Sequence, residues 1–346
     1  MRFGSMVFPV SHEPDNDATV IASTLAEIEL QDKMGFDAAW LTEHHFDGAC
    51  AYVDPLVFGA AVATSTSRIK IGFAVVEMAF HHPIRLAAQT ALLDNLSRGR
   101  LIVGVGRGSA FNTYEYMGFG VSMDEGVERL AEAEDLLVKA WTAEDVNYKG
   151  RFWDVTFPRL RPQPYQKPHP PLVRACISEA STLAMGRIGR PILMGVQEPE
   201  VFVSRMTAYR DQMAKAGFDE ETIEATLDQC WFSKNVFVAE TYERARELCE
   251  PGFHRERKHF REAREIYNPE GFPPLDPAKP LPAGEDFEKA CIIGTPAQVA
   301  DQVAELRDAG VRNLMMKMNI GEMDTVGVQN SIRLFGEKVM PRFSAE

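Results

Sequence analysis

A glutamate and two histidines, Glu43-His44-His45, followed by Phe46, stand just beyond the apolar run Ala38-Ala39-Trp40-Leu41. Four apolar residues in a row read as a buried strand, so the chain delivers an acid and two imidazoles at a strand end. Such groups are costly to bury without partners. Histidine titrates near neutral pH and can give or take a proton during turnover. A lone histidine there would read as a structural hydrogen-bonding residue. Three polar groups together point to a site that moves protons.

Other constellations lie at comparable positions. Gly104-Val105-Gly106-Arg107-Gly108-Ser109 closes an apolar run. Its glycines let backbone approach a ligand, and Arg107 offers a bidentate fork for phosphate. A plain tight turn is the simpler use of these glycines. Ser178-Glu179-Ala180-Ser181 separates a strand-like run from a helix-like one. Serine there caps a helix, and hydroxyls with free amides at a helix start also bind anions. If the two preceding strands are neighbours, Arg107 and the two serines converge on one phosphate. A further pair, His81-His82, follows Ala74-Val75-Val76-Glu77. Four histidines near two strand ends raise the question of a metal hydrolase. Such a barrel wants H-x-H on its first strand, and residues 3–10 contain none, so no metal site is expected.

These groups need a scaffold that brings strand ends together. Strand-like runs fall at residues 3–10, 38–41, 68–76, 101–105, 172–177, 192–196, 230–238 and 311–318. Helical patterns separate them, as at 18–34, which Gly35 stops, and at 55–63, which opens with Pro55. Eight strand–helix units predict an α/β fold, a (β/α)8 barrel, whose active sites lie at the C-terminal strand ends. One barrel domain over residues 1–346 is expected. Two stretches break the repeat. Residues 144–171 are rich in aromatics and prolines, and residues 268–288 in proline and glycine. The second reads as a lid-like insertion over the site. Between them, residues 253–267 are dense in basic side chains, read here as a solvated helix face.

Composition bounds the partners. The net charge of −13 argues against a nucleic-acid or anionic-membrane surface. The five cysteines are odd in number and widely spaced, which fits reduced thiols and a cytoplasmic protein. No signal peptide and no run long enough to span a membrane is visible.

Taken in order and at their spacing, several segments resemble the bacterial luciferase-like, flavin-dependent monooxygenase family. They are Trp40-Leu41-Thr42-Glu43-His44-His45-Phe46, His82-Pro83-Ile84-Arg85, residues 93–100 (Leu-Asp-Asn-Leu-Ser-Arg-Gly-Arg), Gly106-Arg107-Gly108, Gly294-Thr295-Pro296, Asp308-Ala309-Gly310-Val311, and Leu334-Phe335 with Met340-Pro341. The resemblance runs nearly end to end. It implies a TIM barrel with an insertion or mobile loop in the seventh unit. It implies reduced FMN supplied by a separate flavin reductase, O2 as co-substrate, and a flavin C4a-hydroperoxide that oxygenates a small organic substrate. By the same resemblance His44 is the catalytic histidine. Arg107, Ser178 and Ser181, with Arg129 as a fourth, match the family's phosphate contacts, and Gly106 and Ser109 are further cofactor-binding positions. Ala74-Val75 lies against the flavin ring, often through a non-proline cis peptide. A homodimer or heterodimer is implied too.

The chain departs from the light-emitting subunits at Gly106, where they carry cysteine, which argues against bioluminescence. No carboxylate precedes Ser178 in Cys176-Ile177-Ser178. Two alternatives share the superfamily: a deazaflavin-dependent oxidoreductase and a non-catalytic flavin-binding accessory subunit. The former typically carries a single histidine in an Asp-His motif, so Glu-His-His favours the monooxygenase.

Overall fold

The computed structural model describes residues 1–276 and 278–343. Twelve strands occur there: β1 (Arg2–Val7), β2 (Ala38–Leu41), β3 (Lys70–Phe73), β4 (Val76–Glu77), β5 (Leu101–Gly106), β6 (Asp145–Lys149), β7 (Asp154–Pro158), β8 (Leu172–Cys176), β9 (Ile192–Met194), β10 (Trp231–Val238), β11 (Cys291–Gly294) and β12 (Asn313–Lys317). Eight of them pair in parallel in the order β1-β2-β3-β5-β8-β9-β10-β12, and β12 returns to β1 to close a barrel. These are the eight strands expected from the sequence, with ends moved by a few residues.

Local chemistry explains where the helices begin and end. Gly35, at φ 89°, stops the helix Asp17–Met34 in a left-handed turn. The Asp54 side chain accepts from Leu56 N and Val57 N, with Pro55 as first helical residue of Pro55–Ser65. Ser178 and Ser181 form a reciprocal capping box on the helix Glu179–Arg187.

The barrel is filled by its own side chains. Ala38, Trp40, Ile102, Val173, Leu193, Trp231 and Met315 form an interior cluster, with Met6, Ala74 and Val75 packed against it. Trp40 and Trp231 meet edge to face at 5.3 Å. Room for Trp40 comes from Gly72, where a Cβ would lie 2.4 Å from the indole. A larger cluster lies outside the barrel, between strands and helices.

The run 68–76, expected as one strand, is two. Gly72 pairs with Ile102 and Val76 with Val105, so four steps on one strand face three on its neighbour. This β-bulge re-aims the chain at Ala74-Val75, whose peptide is cis. Residues 144–171 contain an unanticipated antiparallel hairpin, β6–β7, with Val146 opposite Phe157 and Tyr148 opposite Val155. The seventh unit carries the insertion: helix Tyr242–Tyr267, the stretch 268–288, and β11, which extends the edge of β10. Pro277 of that stretch and residues 344–346 lie outside the described residues. Among the described residues, no helix is long and apolar enough to cross a membrane.

Candidate active site

Strand β2 ends at Leu41, and the next residues turn inward over the barrel mouth. Glu43 is 3% exposed and accepts three hydrogen bonds. His45 Nε2–H and His81 Nε2–H both donate to its Oε1 at 2.8 Å, and Glu77 N–H donates to Oε2 at 2.8 Å. Burial alone would raise its carboxyl. The two imidazoles outweigh burial and hold it down at about 2. His81 is raised in turn, because its bond to Glu43 and that charge outweigh burial.

His44 belongs to a second knot. Its Nδ1 donates to Glu115 Oε1 at 3.4 Å, and His45 N–H donates to the same oxygen at 3.0 Å. Burial lowers His44, but the Glu115 bond and charge win, and its proton is held above the ordinary imidazole value. With Nδ1 engaged, Nε2 is the nitrogen left for chemistry. Phe8 at 5.2 Å and Phe260 at 6.3 Å wall the ring.

Glu77 and Glu115 each keep one buried oxygen without a partner. Burial, then the charges of Glu115 and Glu43, push the Glu77 carboxyl well above the ordinary carboxylate range. His44, Glu77 and Glu115 bring ligand atoms within 4.8 Å of one another, a spacing a cation could use.

A cavity of about 390 Å³ opens at the same strand ends, with the Phe8 ring between its Lys317 and His44. Met6, Ala74 and Val75 line its barrel side, with Ala175, Cys176 and Ile177 along one wall and Arg257 and Lys317 on another. The expected cofactor residues distribute as follows. β5 and β8 are neighbours, with Val105 opposite Arg174, so the ends carrying Arg107 and Ser178 are adjacent. The Ser178 and Ser181 hydroxyls are 3.1 Å apart on an accessible helix start. Gly106 packs under the bulge: a Cβ there would lie 2.5 Å from Val75 Cγ2. A cysteine at that position, as in light-emitting chains, requires Val75 to move. Ser109 sits in the loop after β5, where its hydroxyl accepts from Phe111 N–H. Arg129 stands apart from these contacts, 5.1 Å over both the Phe152 and Trp153 rings of the β6–β7 turn.

The expectation of a solvated basic face over residues 253–267 is corrected. His254, Arg255 and Lys258 are exposed, Arg255 also donating to the Gly321 and Glu322 carbonyls, whereas Arg257, Arg261 and Arg264 are half-buried. Arg264 donates to Asn112 Oδ1 at 2.9 Å and lies over Phe111 and Phe272. Asn268 completes the clamp, accepting from Tyr114 N–H and donating to Phe111 O. The seventh-unit helix is thereby fastened to the loop after β5. Gly284, from the proline-rich stretch, lines the cavity.

The sequence points to Glu77 within the Ala74-Val75-Val76-Glu77 segment but gives no motif that places Glu115 or Lys317 in this site. Glu77 was visible as an acid at a strand end. Glu115 sits in a short helix, Thr113–Gly118, with no motif around it. Lys317, at the end of the last barrel strand, could have been found as a lone charge closing an apolar run.

A profile of luciferase-like monooxygenases matches residues 1–313. The chain is 28% identical to limonene 1,2-monooxygenase of Rhodococcus erythropolis, over 99% of this chain and 87% of that protein. Among solved structures, a monooxygenase from Streptomyces bottropensis superposes with TM-score 0.83 at 28% identity, covering 99% of this chain and 100% of that one. The oxygenating constituent of 3,6-diketocamphane monooxygenase from Pseudomonas putida, solved with FMN, gives TM-score 0.78 at 18% identity. It covers 99% of this chain and 98% of its own, and at that identity shows the fold alone. F420-dependent dehydrogenases also stand among the matches.

Proposed function

The chain belongs to the luciferase-like monooxygenase family, and on that premise we propose that it is the oxygenase of a two-component, FMN-dependent system. It takes reduced FMN from a separate flavin reductase and uses O2 to oxygenate a small organic substrate, of aldehyde or ketone type. The observation that carries this reading is the cavity at the strand ends, lined by the Ala74-Val75 bulge and by Ile177 next to Ser178, with the Phe8 ring between its Lys317 and His44.

The residues present suit a flavin. Arg107 and the Ser178–Ser181 helix start would hold a phosphate by a charged fork and hydroxyls. The apolar Met6, Ala74 and Val75 would take a flat ring. When bound, the reduced flavin supplies the electrons that activate O2. This chain's part is to hold, orient and protect. His44, pinned by Glu115 at Nδ1, presents Nε2 as a general acid and base. Phe8 and Phe260 flank its ring, and the proline-rich stretch 268–288 would serve as the lid.

The test is turnover with a flavin reductase, NADH, FMN and O2 against a panel of aldehydes and ketones. Oxygenated product is the expected result. FMN failing to bind would overturn the reading. Anaerobic turnover with a deazaflavin would put the chain with the F420-dependent members instead. Flavin oxidation yielding hydrogen peroxide alone, with every substrate class, would assign the accessory role.

A further inference from the structure

The wall of the cavity formed by Arg257 and Lys317 is cationic in a chain of net charge −13. Both side chains share one carboxylate. Arg257 Nη2 lies 2.5 Å from Glu256 Oε1, and Lys317 Nζ pairs with Glu256 Oε2. Lys317 and Glu256 are 4% and 2% exposed. Two cations on one carboxylate leave one positive charge unanswered. Arg264 adds another cation near Arg257. The Arg257 Nε–H is buried without an acceptor. The Arg257 side chain as a whole is 30% exposed, so its guanidinium has surface open to the cavity it lines, where an uncompensated charge can be answered by a ligand. Beside a cavity, the completing group is a ligand oxyanion, which arginine matches in geometry as well as charge.

Position tells which anion. The Arg107 and Ser178 strand ends belong to β5 and β8, whereas this wall belongs to β10, β12 and the seventh-unit helix. Ser233 and Asn235 of β10 also line it. Lys317 Nζ lies 4.7 Å from the Phe8 ring and Arg257 5.3 Å from Phe260, and these two rings flank His44. A group held here is one aromatic ring away from His44.

We propose that Arg257, supported by Lys317, forms an oxyanion subsite and that the enzyme's substrate carries a carboxylate seated there. The substrate's remaining length then reaches toward His44. The proposal rests on the oxygenase reading for its claim that the anion belongs to a substrate.

The experiment titrates the protein, without flavin and with FMN, with benzoate and with the neutral analogue benzamide, by calorimetry. Benzoate should bind at least about ten-fold more tightly. Arg257→Met should abolish that preference, and Arg257→Lys should restore most of it. Arg257→Met leaves the Lys317–Glu256 pair intact and neutral, and an unchanged thermal unfolding midpoint shows that the fold is kept. Equal binding of the two probes, or a preference surviving in Arg257→Met, overturns the proposal. A second arm compares FMN with riboflavin. Arg257→Met weakening FMN but not riboflavin would show that the wall holds the cofactor's phosphate, and would overturn the substrate assignment. Benzoate preference in a protein that binds no FMN would sink the oxygenase reading while keeping the anion site.

Discussion

Replacing Glu43 by glutamine should destabilise the protein by about 3 kcal/mol at neutral pH. The carboxylate accepts from His45, His81 and the Glu77 amide, all at 2.8 Å. Its carboxyl is displaced from 4.5 to about 2. At about 1.4 kcal/mol per pH unit, that displacement is worth about 3 kcal/mol. Glutamine keeps one acceptor but turns an NH2 group toward a donor, and it loses the charge that pairs the imidazoles. The sign with pH follows from the direction of the displacement. A depressed carboxyl stabilises fully above its unfolded value and loses that contribution as pH falls from 4.5 towards 2. For a chain of 346 residues, an unfolding entropy of about 2 cal/mol/K per residue converts 3 kcal/mol into about 4 °C. The assay is thermal unfolding of wild type and Glu43→Gln at about pH 7 and about pH 3, where about half or less of the gap should remain. A gap below about 1 °C at neutral pH would refute the reasoning. So would a gap that is the same at both values.

Three further outcomes are expected. His44→Asn should leave the FMN dissociation constant nearly unchanged and lower oxygenation by about 100-fold or more, measured as product per NADH consumed; full activity would remove His44 from the proton role. Glu115→Gln should move the His44-dependent limb of the pH–rate profile to lower pH, since Glu115 is what lifts His44 against burial; a limb that stays put would detach Glu115 from His44. Arg107→Ala should weaken FMN binding by about ten-fold, a charged hydrogen bond's worth, and leave riboflavin unaffected; equal losses for both would place Arg107 away from the phosphate.

The barrel was legible because its signal is periodic and local. Eight apolar runs of strand length, separated by capped amphipathic segments, leave few other architectures. His44, Arg107 and Ser178 stood out because each follows such a run. The β6–β7 hairpin was hidden because prolines and aromatics obscured its short alternation, Val146, Tyr148, Val155, Phe157. The basic segment misled for a different reason. Arg255 and Arg264 find carbonyls, an amide and aromatic rings, partners that come from loops far along the chain. Charge at helical spacing shows that a face is polar. It does not show whether water or the protein satisfies it.

Glu43, Glu77 and Glu115 explain why one site can contain both a fixed anion and a carboxyl that favours its proton. Three carboxyls within one buried knot cannot all ionise at modest cost. Glu43 is bridged by two imidazoles and a backbone amide, so it keeps its charge. Glu115 carries the bonds to His44 and to the His45 amide. Glu77 has the fewest donors and faces both other carboxyls, so its carboxyl is the one pushed up. That ordering divides the work. Glu43 holds His45 and His81 in place, while Glu115 sets the tautomer and basicity of His44. Glu77, the carboxyl of the three that burial and charge most favour in its protonated form, lies beside Glu115 and could answer a change of charge there without bulk water. Glu77→Gln, which keeps a neutral donor but cannot release a proton, should therefore fold normally. It should bind FMN as wild type does and slow only the proton-dependent step. A Glu77→Gln enzyme with an unaltered pH–rate profile would show that the Glu77 proton takes no part in turnover.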